Sequence, residues 1–194
     1  GEDDVLDAER TNCNCETCNS YNMLKMTKLL FMITGEHKYA DWYEKAFINS
    51  VLSSQNPQSG MTTYFQPMAG GYHKVYGEPF SKFWCCTGTG MENFSKLQES
   101  FCFSREDCLV INQYFSFEAV YRGVNFTMEA DLLHDETVKL TIGSDYAGDI
   151  SLRLPGWLAS EAEIRIDDIV HCCIKQDGYA LLKGPFAAGC RVEM

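Results

Sequence analysis

Basic residues are scarce in this chain of 194 residues: 16 Lys and Arg stand against 27 Asp and Glu, a formal net charge of −11. Phosphate recognition needs clustered cations, so nucleic-acid binding is excluded as a function class. Long apolar runs are missing too, and no segment approaches the ~20 residues a membrane-crossing helix requires, so a membrane partner is not expected. Proline is sparse, and Pro57, Pro67 and Pro79 fall in one glycine-rich stretch, leaving the segments on either side free to form regular structure. Ten cysteines, by contrast, are many. The chain is long and hydrophobic enough to build cores without disulfides. Reduced thiols in a soluble protein are therefore expected, with the reducing cytoplasm as the favoured location. Gly1 at the start and a strand pattern running into Met194 lead us to expect a piece of a longer protein.

The most informative thiols are Cys85 and Cys86 in Phe83-Trp84-Cys85-Cys86-Thr87-Gly88-Thr89-Gly90. Adjacent cysteines do not easily bridge each other, because disulfide geometry wants the two Cα atoms farther apart than one peptide unit allows. The glycines after them tolerate unusual backbone angles, which would let both side chains converge on one point before a helix begins. A metal ion is the simplest such point. In Cys15-Glu16-Thr17-Cys18, Glu16 and Cys18 precede an apolar-periodic segment, where a turn into a helix can aim both the same way. Three sulfurs and a carboxylate suit a tetrahedral zinc site. Cys15 and Cys18 form a Cys-x-x-Cys that gives a rival ligand set of four thiolates with Cys85 and Cys86. Cys13 is a further neighbour. Cys102, Cys108 and Cys190 read as small core hydrophobes. The pair Cys172-Cys173 has only His171 beside it and sits in a strand-like region, so it is not read as a metal site.

Periodicity predicts a helix over Tyr21 to Ile33, with Leu24, Met26, Leu30 and Ile33 near helical spacing and Gly35 as its stop. A second helix is expected from His37 to Ser54, antiparallel to the first. A long punctuated loop begins at Asn56, with extended pieces such as Thr62-Thr63-Tyr64-Phe65, and helix resumes from about Gly90 to Phe101. Beyond Arg105 the pattern changes to short strands: Leu109–Ile111, Val124–Met128, Val138–Ile142, Ile150–Leu154, Ile164–Ile166, Tyr179–Leu182 and Arg191–Glu193. These suggest an antiparallel β-sandwich. The expected organisation is thus a helical part over 1–104 and a β-part over 105–194.

Three segments, Cys15-Glu16-Thr17-Cys18, Tyr64-Phe65-Gln66-Pro67-Met68 and Phe83 to Gly90, resemble the β-L-arabinofuranosidase glycoside hydrolases. The likeness continues through Ser53-Ser54-Gln55-Asn56-Pro57 and Leu152-Arg153-Leu154-Pro155-Gly156-Trp157. It implies an α+β multidomain fragment: the last helices of an (α/α)6 toroid and then the β-sandwich. It also implies Zn2+ on Glu16, Cys18, Cys85 and Cys86, with Cys85 as the nucleophile toward a sugar and Tyr64 near that sugar. The implied partner is a carbohydrate, an arabinofuranoside-containing glycan. The family's acid/base is a glutamate upstream of the Glu-x-Cys element. Glu2 is the visible candidate, but Glu2 to Asp7 resembles the family's stretch immediately downstream of that acid, so this chain alone is expected to hydrolyse nothing.

Two other classes compete. One is a non-catalytic carbohydrate-binding or interaction module with a structural zinc clamp, since four protein ligands usually mark a closed site. The other is a redox module using Cys15 and Cys18. Tyr72 and His73 are left outside the site, and the triplets beginning at Asn93 and Asn125 fit a glycosylation pattern without deciding anything.

Overall fold

A computed structural model describes residues 15–132 and 134–194, so Glu2 and Cys13 lie outside the described residues. The chain forms two compact units: one takes the residues up to Gly35 with Trp42–Leu97, the other Glu36–Asp41 with Gln98–Met194.

In the first unit a short strand β1 (Cys15–Glu16) runs straight into helix α1 (Thr17–Thr34) and pairs antiparallel with β2 (Phe65–Gln66). Helix α1 starts four residues earlier than its apolar periodicity indicates. It ends where expected, at Gly35, which takes the left-handed conformation (φ 69°) and donates its N–H to the Phe31 carbonyl. Its buried face is Thr17, Cys18, Tyr21, Leu24, Thr27 and Phe31. Of the stripe read from sequence only Leu24 is buried, while Met26 is 45% and Ile33 80% exposed. This helix is apolar on two sides, and periodicity alone picked the more hydrophobic side, not the one carrying small and polar groups inward.

Helix α2 (His37–Ala46) continues through a π-turn (Phe47–Val51) into a 3-10 turn (Leu52–Ser54). The expected span is right at both ends, but the pitch changes within it. A π-turn shifts the hydrogen-bond ladder and releases a carbonyl for other partners. The Ser50 carbonyl accepts from the Gln66 side-chain amide at 3.0 Å, and the Ser50 hydroxyl donates to Ser20 at 2.7 Å. Strand β2 is thereby fixed beside the start of α1.

Helix α3 (Cys85–Lys96) begins five residues before the expected Gly90. Cys85 and Cys86 are its first two residues rather than a preceding turn, and the Trp84 N–H is held by the Thr87 hydroxyl at 3.2 Å. Gly90 therefore serves packing and not loop conformation, and Gly88 is required for neither. A Cβ on Gly90 would lie 2.6 Å from Thr62 Cγ2, whereas one on Gly88 would meet nothing within 4 Å. Gly90→Ala is expected to cost about 1–3 kcal/mol through overpacking, against the gain in helix propensity. Gly88→Ala is expected to be neutral or stabilising; thermal melting of both variants checks the contrast.

The second unit holds eleven strands: β3 (Cys102–Arg105), β4 (Cys108–Ile111), β5 (Phe117–Tyr121), β6 (Val124–Ala130), β7 (Val138–Ile142), β8 (Asp149–Arg153), β9 (Arg165–Ile166), β10 (Ile169–Val170), β11 (Ile174–Gln176), β12 (Tyr179–Leu182) and β13 (Arg191–Glu193). They form a sheet ordered β10-β9-β13-β7-β6-β5 and another ordered β11-β12-β8-β4-β3. Alternating residues of both sheets, among them Phe126, Met128, Leu140 and Ile142 from one and Ile111, Ile150, Leu152 and Leu182 from the other, share one core. All pairings are antiparallel except β4 with β8, which is parallel. A purely antiparallel sandwich is thus corrected: β5, β6 and β7 lie in the other sheet between these two strands, so the chain returns to β4 in the same direction. Cys190 is buried in this core, Cys102 and Cys108 are half-buried, and Cys172 is exposed.

Candidate metal and nucleophile centre

The centre lies wholly in the first unit. Two helix N-termini, those of α1 and α3, converge on the segment Thr62–Phe65. Thr17 is fully buried and fastens the start of α1 there: its N–H donates to the Tyr64 carbonyl at 3.0 Å and its hydroxyl to the Thr63 carbonyl at 3.0 Å. Thr62 fastens the start of α3, its hydroxyl donating to the Cys86 carbonyl at 3.1 Å. The missing side chain of Gly90 permits this close approach.

These fixings bring Glu16, Cys18, Cys85 and Cys86 together, with one donor atom of each lying within 4.8 Å of all the others. Cys18 Sγ is 3.0 Å from Cys86 Sγ, and Cys85 Sγ is 3.8 Å from Glu16 Oε1. Among the described residues this is the one group of His, Cys, Asp and Glu donors so arranged. Cys15 is elsewhere, with its Sγ 4.0 Å from the Ser50 hydroxyl. Strand alternation is the reason, since successive residues of β1 point to opposite faces and Glu16 has the face toward α3. Glu16 occupies the N-cap position of α1 but makes no capping hydrogen bond, which leaves its carboxylate to the cluster.

The donor set fits zinc. Four donors about 2.0–2.3 Å from a tetrahedral ion lie roughly 3.3–3.8 Å from one another. Here Cys85 and Glu16 are 3.8 Å apart, Cys18 and Cys86 are 3.0 Å apart, and all four donors lie within 4.8 Å, a spread that could hold a metal ion. Helix N-termini favour anions, and two of them face this group.

The three thiols are not equivalent. Cys18 and Cys86 are buried, and burial pushes both thiols above their usual range. Cys85 is exposed and is lowered instead, chiefly by the nearby Tyr64 hydroxyl and then by the Cys18 thiol. Tyr64 is correspondingly raised, because its proton is held against Cys85. Cys85 is thus the one reachable sulfur of the cluster and the one most readily ionised.

Sequence reasoning missed the cleft beside this centre. It holds about 400 Å³ and is lined by Tyr64, Phe65, Tyr72, His73, Val75 and Trp84 together with Thr63 and Pro67. Adjacent aromatics on a Gly- and Pro-punctuated loop were the available signal.

The exposed thiol has a chemical consequence. With a chelator and hydrogen peroxide present, Cys85 is expected to be oxidised first, its thiolate taking one peroxide oxygen as a sulfenic acid while the other leaves as water, after which a neighbouring thiol displaces that oxygen as a second water to give a disulfide. Peptide mass mapping would show the linked Cys85, and bound zinc should suppress it.

Family profiles match almost the whole chain: "Beta-L-arabinofuranosidase, GH127 catalytic domain" over residues 2–99 and "Beta-L-arabinofuranosidase, GH127 middle domain" over 108–194. No curated protein matches. Among solved structures, the GH127 β-L-arabinofuranosidase of Geobacillus stearothermophilus superposes with a TM-score of 0.77 at 24% identity, over 92% of this chain and 31% of that one. A second GH127 β-arabinofuranosidase gives 0.77 at 20% identity with the same coverage of both chains. A structure described as a glycoside hydrolase gives 0.76 at 18%, over 92% and 32%. The chain therefore shares their fold while spanning under a third of their length. With one profile over the helical unit's sequence and the next over the β-rich sequence, it belongs to the β-L-arabinofuranosidase family of glycoside hydrolases, GH127.

Proposed function

We propose that this chain is the part of a retaining β-L-arabinofuranosidase that supplies the nucleophile, Cys85, in a zinc centre completed by Glu16, Cys18 and Cys86. The observation that carries the reading is the asymmetry of the clustered thiols: Cys18 and Cys86 are buried, while Cys85 is exposed. When bound, zinc supplies positive charge that keeps the sulfurs ionised near neutral pH. Cys85 Sγ attacks the anomeric carbon, forming a carbon–sulfur bond as the bond to the leaving oxygen breaks. An acid outside the described residues protonates that oxygen. Water, giving its proton back to the conjugate base of that acid, then attacks the same carbon and breaks the carbon–sulfur bond. Two inversions give net retention, with a thiolate where most retaining glycosidases use a carboxylate. Tyr64 holds Cys85 oriented and stabilises its charge when the sulfur leaves.

In this reading the helical residues, 1–104, close an (α/α)6 toroid, and residues 105–194 are the sandwich domain. The outer flank of α1 supports that placement, since Leu29, Met32 and Ile33 are 57%, 60% and 80% exposed and suit the side of a neighbouring helix. The substrate is a glycan bearing L-arabinofuranose, and a cytoplasmic location suits the reduced thiols. Treating the complete enzyme with a cysteine-directed arabinofuranosyl electrophile, then mapping peptides, tests the proposal. Label on Cys85 is expected. Bound zinc with no label would favour the structural clamp.

A further inference from the structure

We propose that the aromatic cleft beside Cys85 is a subsite for an uncharged, flat-faced ring of the substrate, the one next to the sugar that Cys85 attacks; this rests on the hydrolase function proposed for the centre. The cleft and the centre share a wall. Tyr64 lines the cleft and its carbonyl lies 3.7 Å from Cys86 Sγ, while Trp84 lines it and immediately precedes Cys85 in the chain. The two rings meet edge to face, 5.9 Å apart. A sugar seated at Cys85 thus has this cleft directly alongside, and its ≈400 Å³ is within the usual size of a small-ligand pocket.

The chemistry of the lining selects the occupant. Its residues include no Asp, Glu, Lys or Arg, so nothing there compensates an ionised ligand that has left water. Lys74 lies between two lining residues, His73 and Val75, yet its ammonium is committed to the Ser53 carbonyl. What the cleft offers is exposed ring and aliphatic surface: Phe65 is 39% exposed, Tyr72 56% and Val75 54%. Such surface suits the C–H face of a pyranose or the face of an aryl group. The hydroxyls of Tyr64 and Tyr72 and the imidazole of His73 supply a few polar contacts for orientation.

The cleft is also held open in advance. The Thr63 hydroxyl lies 2.9 Å from the carbonyls of both Phe65 and Val75 and shares its one hydrogen between them, and Thr63 forms a β-bridge with Tyr76. One wall is thereby tied to the other, which reduces the ordering cost of binding.

The test is calorimetric binding to this chain with zinc added. The probes are methyl β-L-arabinofuranoside, its 4-nitrophenyl and glucopyranosyl counterparts, and its 4-carboxyphenyl counterpart. The two neutral ring-bearing glycosides are expected to bind at least about 10-fold more tightly than the methyl glycoside, and the carboxyphenyl one to lose most of that gain. A gain with only one neutral ring still supports the subsite and identifies its occupant as aryl or pyranose. Tyr72→Ala should abolish the gain while leaving the methyl glycoside unaffected. Phe65→Ala, also at an exposed position, provides an independent second variant. Equal affinities across the series, no heat with any probe, or a gain that survives both variants would overturn the proposal. Failure of the electrophile to label Cys85 while the affinity ratio persists would instead remove the hydrolase function and leave the cleft standing.

Discussion

Asp41→Ala is expected to destabilise the β-rich unit by about 3 kcal/mol, because it leaves a buried guanidinium without its counter-ion. Arg153, on β8, has no exposed side-chain surface and pairs with Asp41 on α2. Its Nε donates to the Asn112 carbonyl at 2.5 Å, and the guanidinium lies 5.8 Å from the centre of the Tyr114 ring. A neighbouring hydrogen bond extends the polar cluster, from the Tyr179 hydroxyl to Asn112 Oδ1 at 2.7 Å. Each partner was solvated in the unfolded chain, so deleting one carboxylate loses the pairing but keeps the desolvation cost of the cation. For a unit of this size that corresponds to a fall in melting temperature on the order of 10–20 °C. Arg153→Met should cost less, since an apolar chain fills much of the volume without a charge. The double variant Asp41→Ala/Arg153→Met should be more stable than Asp41→Ala alone, and thermal melts of all three form the cycle. Removing Lys175 from its exposed pair with Glu161 should change stability by less than about 1 kcal/mol. A silent Asp41→Ala would show that the guanidinium is not dependent on this carboxylate.

Cys86→Ala or Cys18→Ala is expected to reduce zinc affinity by well over 100-fold, beyond the ~10–100-fold typical of an outer partner. Thr89→Ala provides that milder comparison, because the Thr89 hydroxyl lies 3.1 Å from Cys18 Sγ. The pH dependence arises from the burial of the two sulfurs. Their thiols are raised, so at neutral pH without metal both hold protons. Zinc binds the thiolates, and occupancy must therefore expel a proton from each. Affinity is expected to rise with pH throughout the range below those raised values and to weaken steeply in acid. Competition titrations with a chromophoric chelator at several pH values measure the slope. An affinity that does not depend on pH would mean that the buried thiols are not ligands.

The residues that make the centre were legible because their chemistry is local. Adjacent thiols with no bridge available, and a Glu-x-Cys at the entrance to a helix, advertise shared ligation whatever the fold. Strand identity was legible wherever one face is buried, as in Val138-Lys139-Leu140-Thr141-Ile142, whose alternate residues from Val138 onward fill the core. It failed for β5, where Val120 is 72% exposed while Phe117, Ala119 and Tyr121 are half-buried, so the most β-prone residue advertises the wrong face. Helix starts were misread for one reason in both cases. The first turns, Thr17-Cys18-Asn19-Ser20 in α1 and Cys85-Cys86-Thr87-Gly88 in α3, carry little apolar period, and tertiary hydrogen bonds from Thr17 and Thr62 hold them in place. The π-turn after α2 has no composition signature at all; its effect, a carbonyl free to receive Gln66, arises only when distant segments meet. The aromatic cleft was legible only in part: Tyr64-Phe65 and Tyr72-His73 stand together on the punctuated loop, but Phe65, Tyr72 and Trp84 are far apart in sequence and only the fold brings them to one lining.

Zinc analysis combined with X-ray absorption at the zinc edge tests the central claim most directly. The chain purified with zinc should hold one ion with three sulfur neighbours at about 2.3 Å and one oxygen or nitrogen neighbour at about 2.0 Å. In Cys85→Ser the shell should fall to two sulfurs. No bound zinc, or a shell that keeps three sulfurs after Cys85 is replaced, would contradict it.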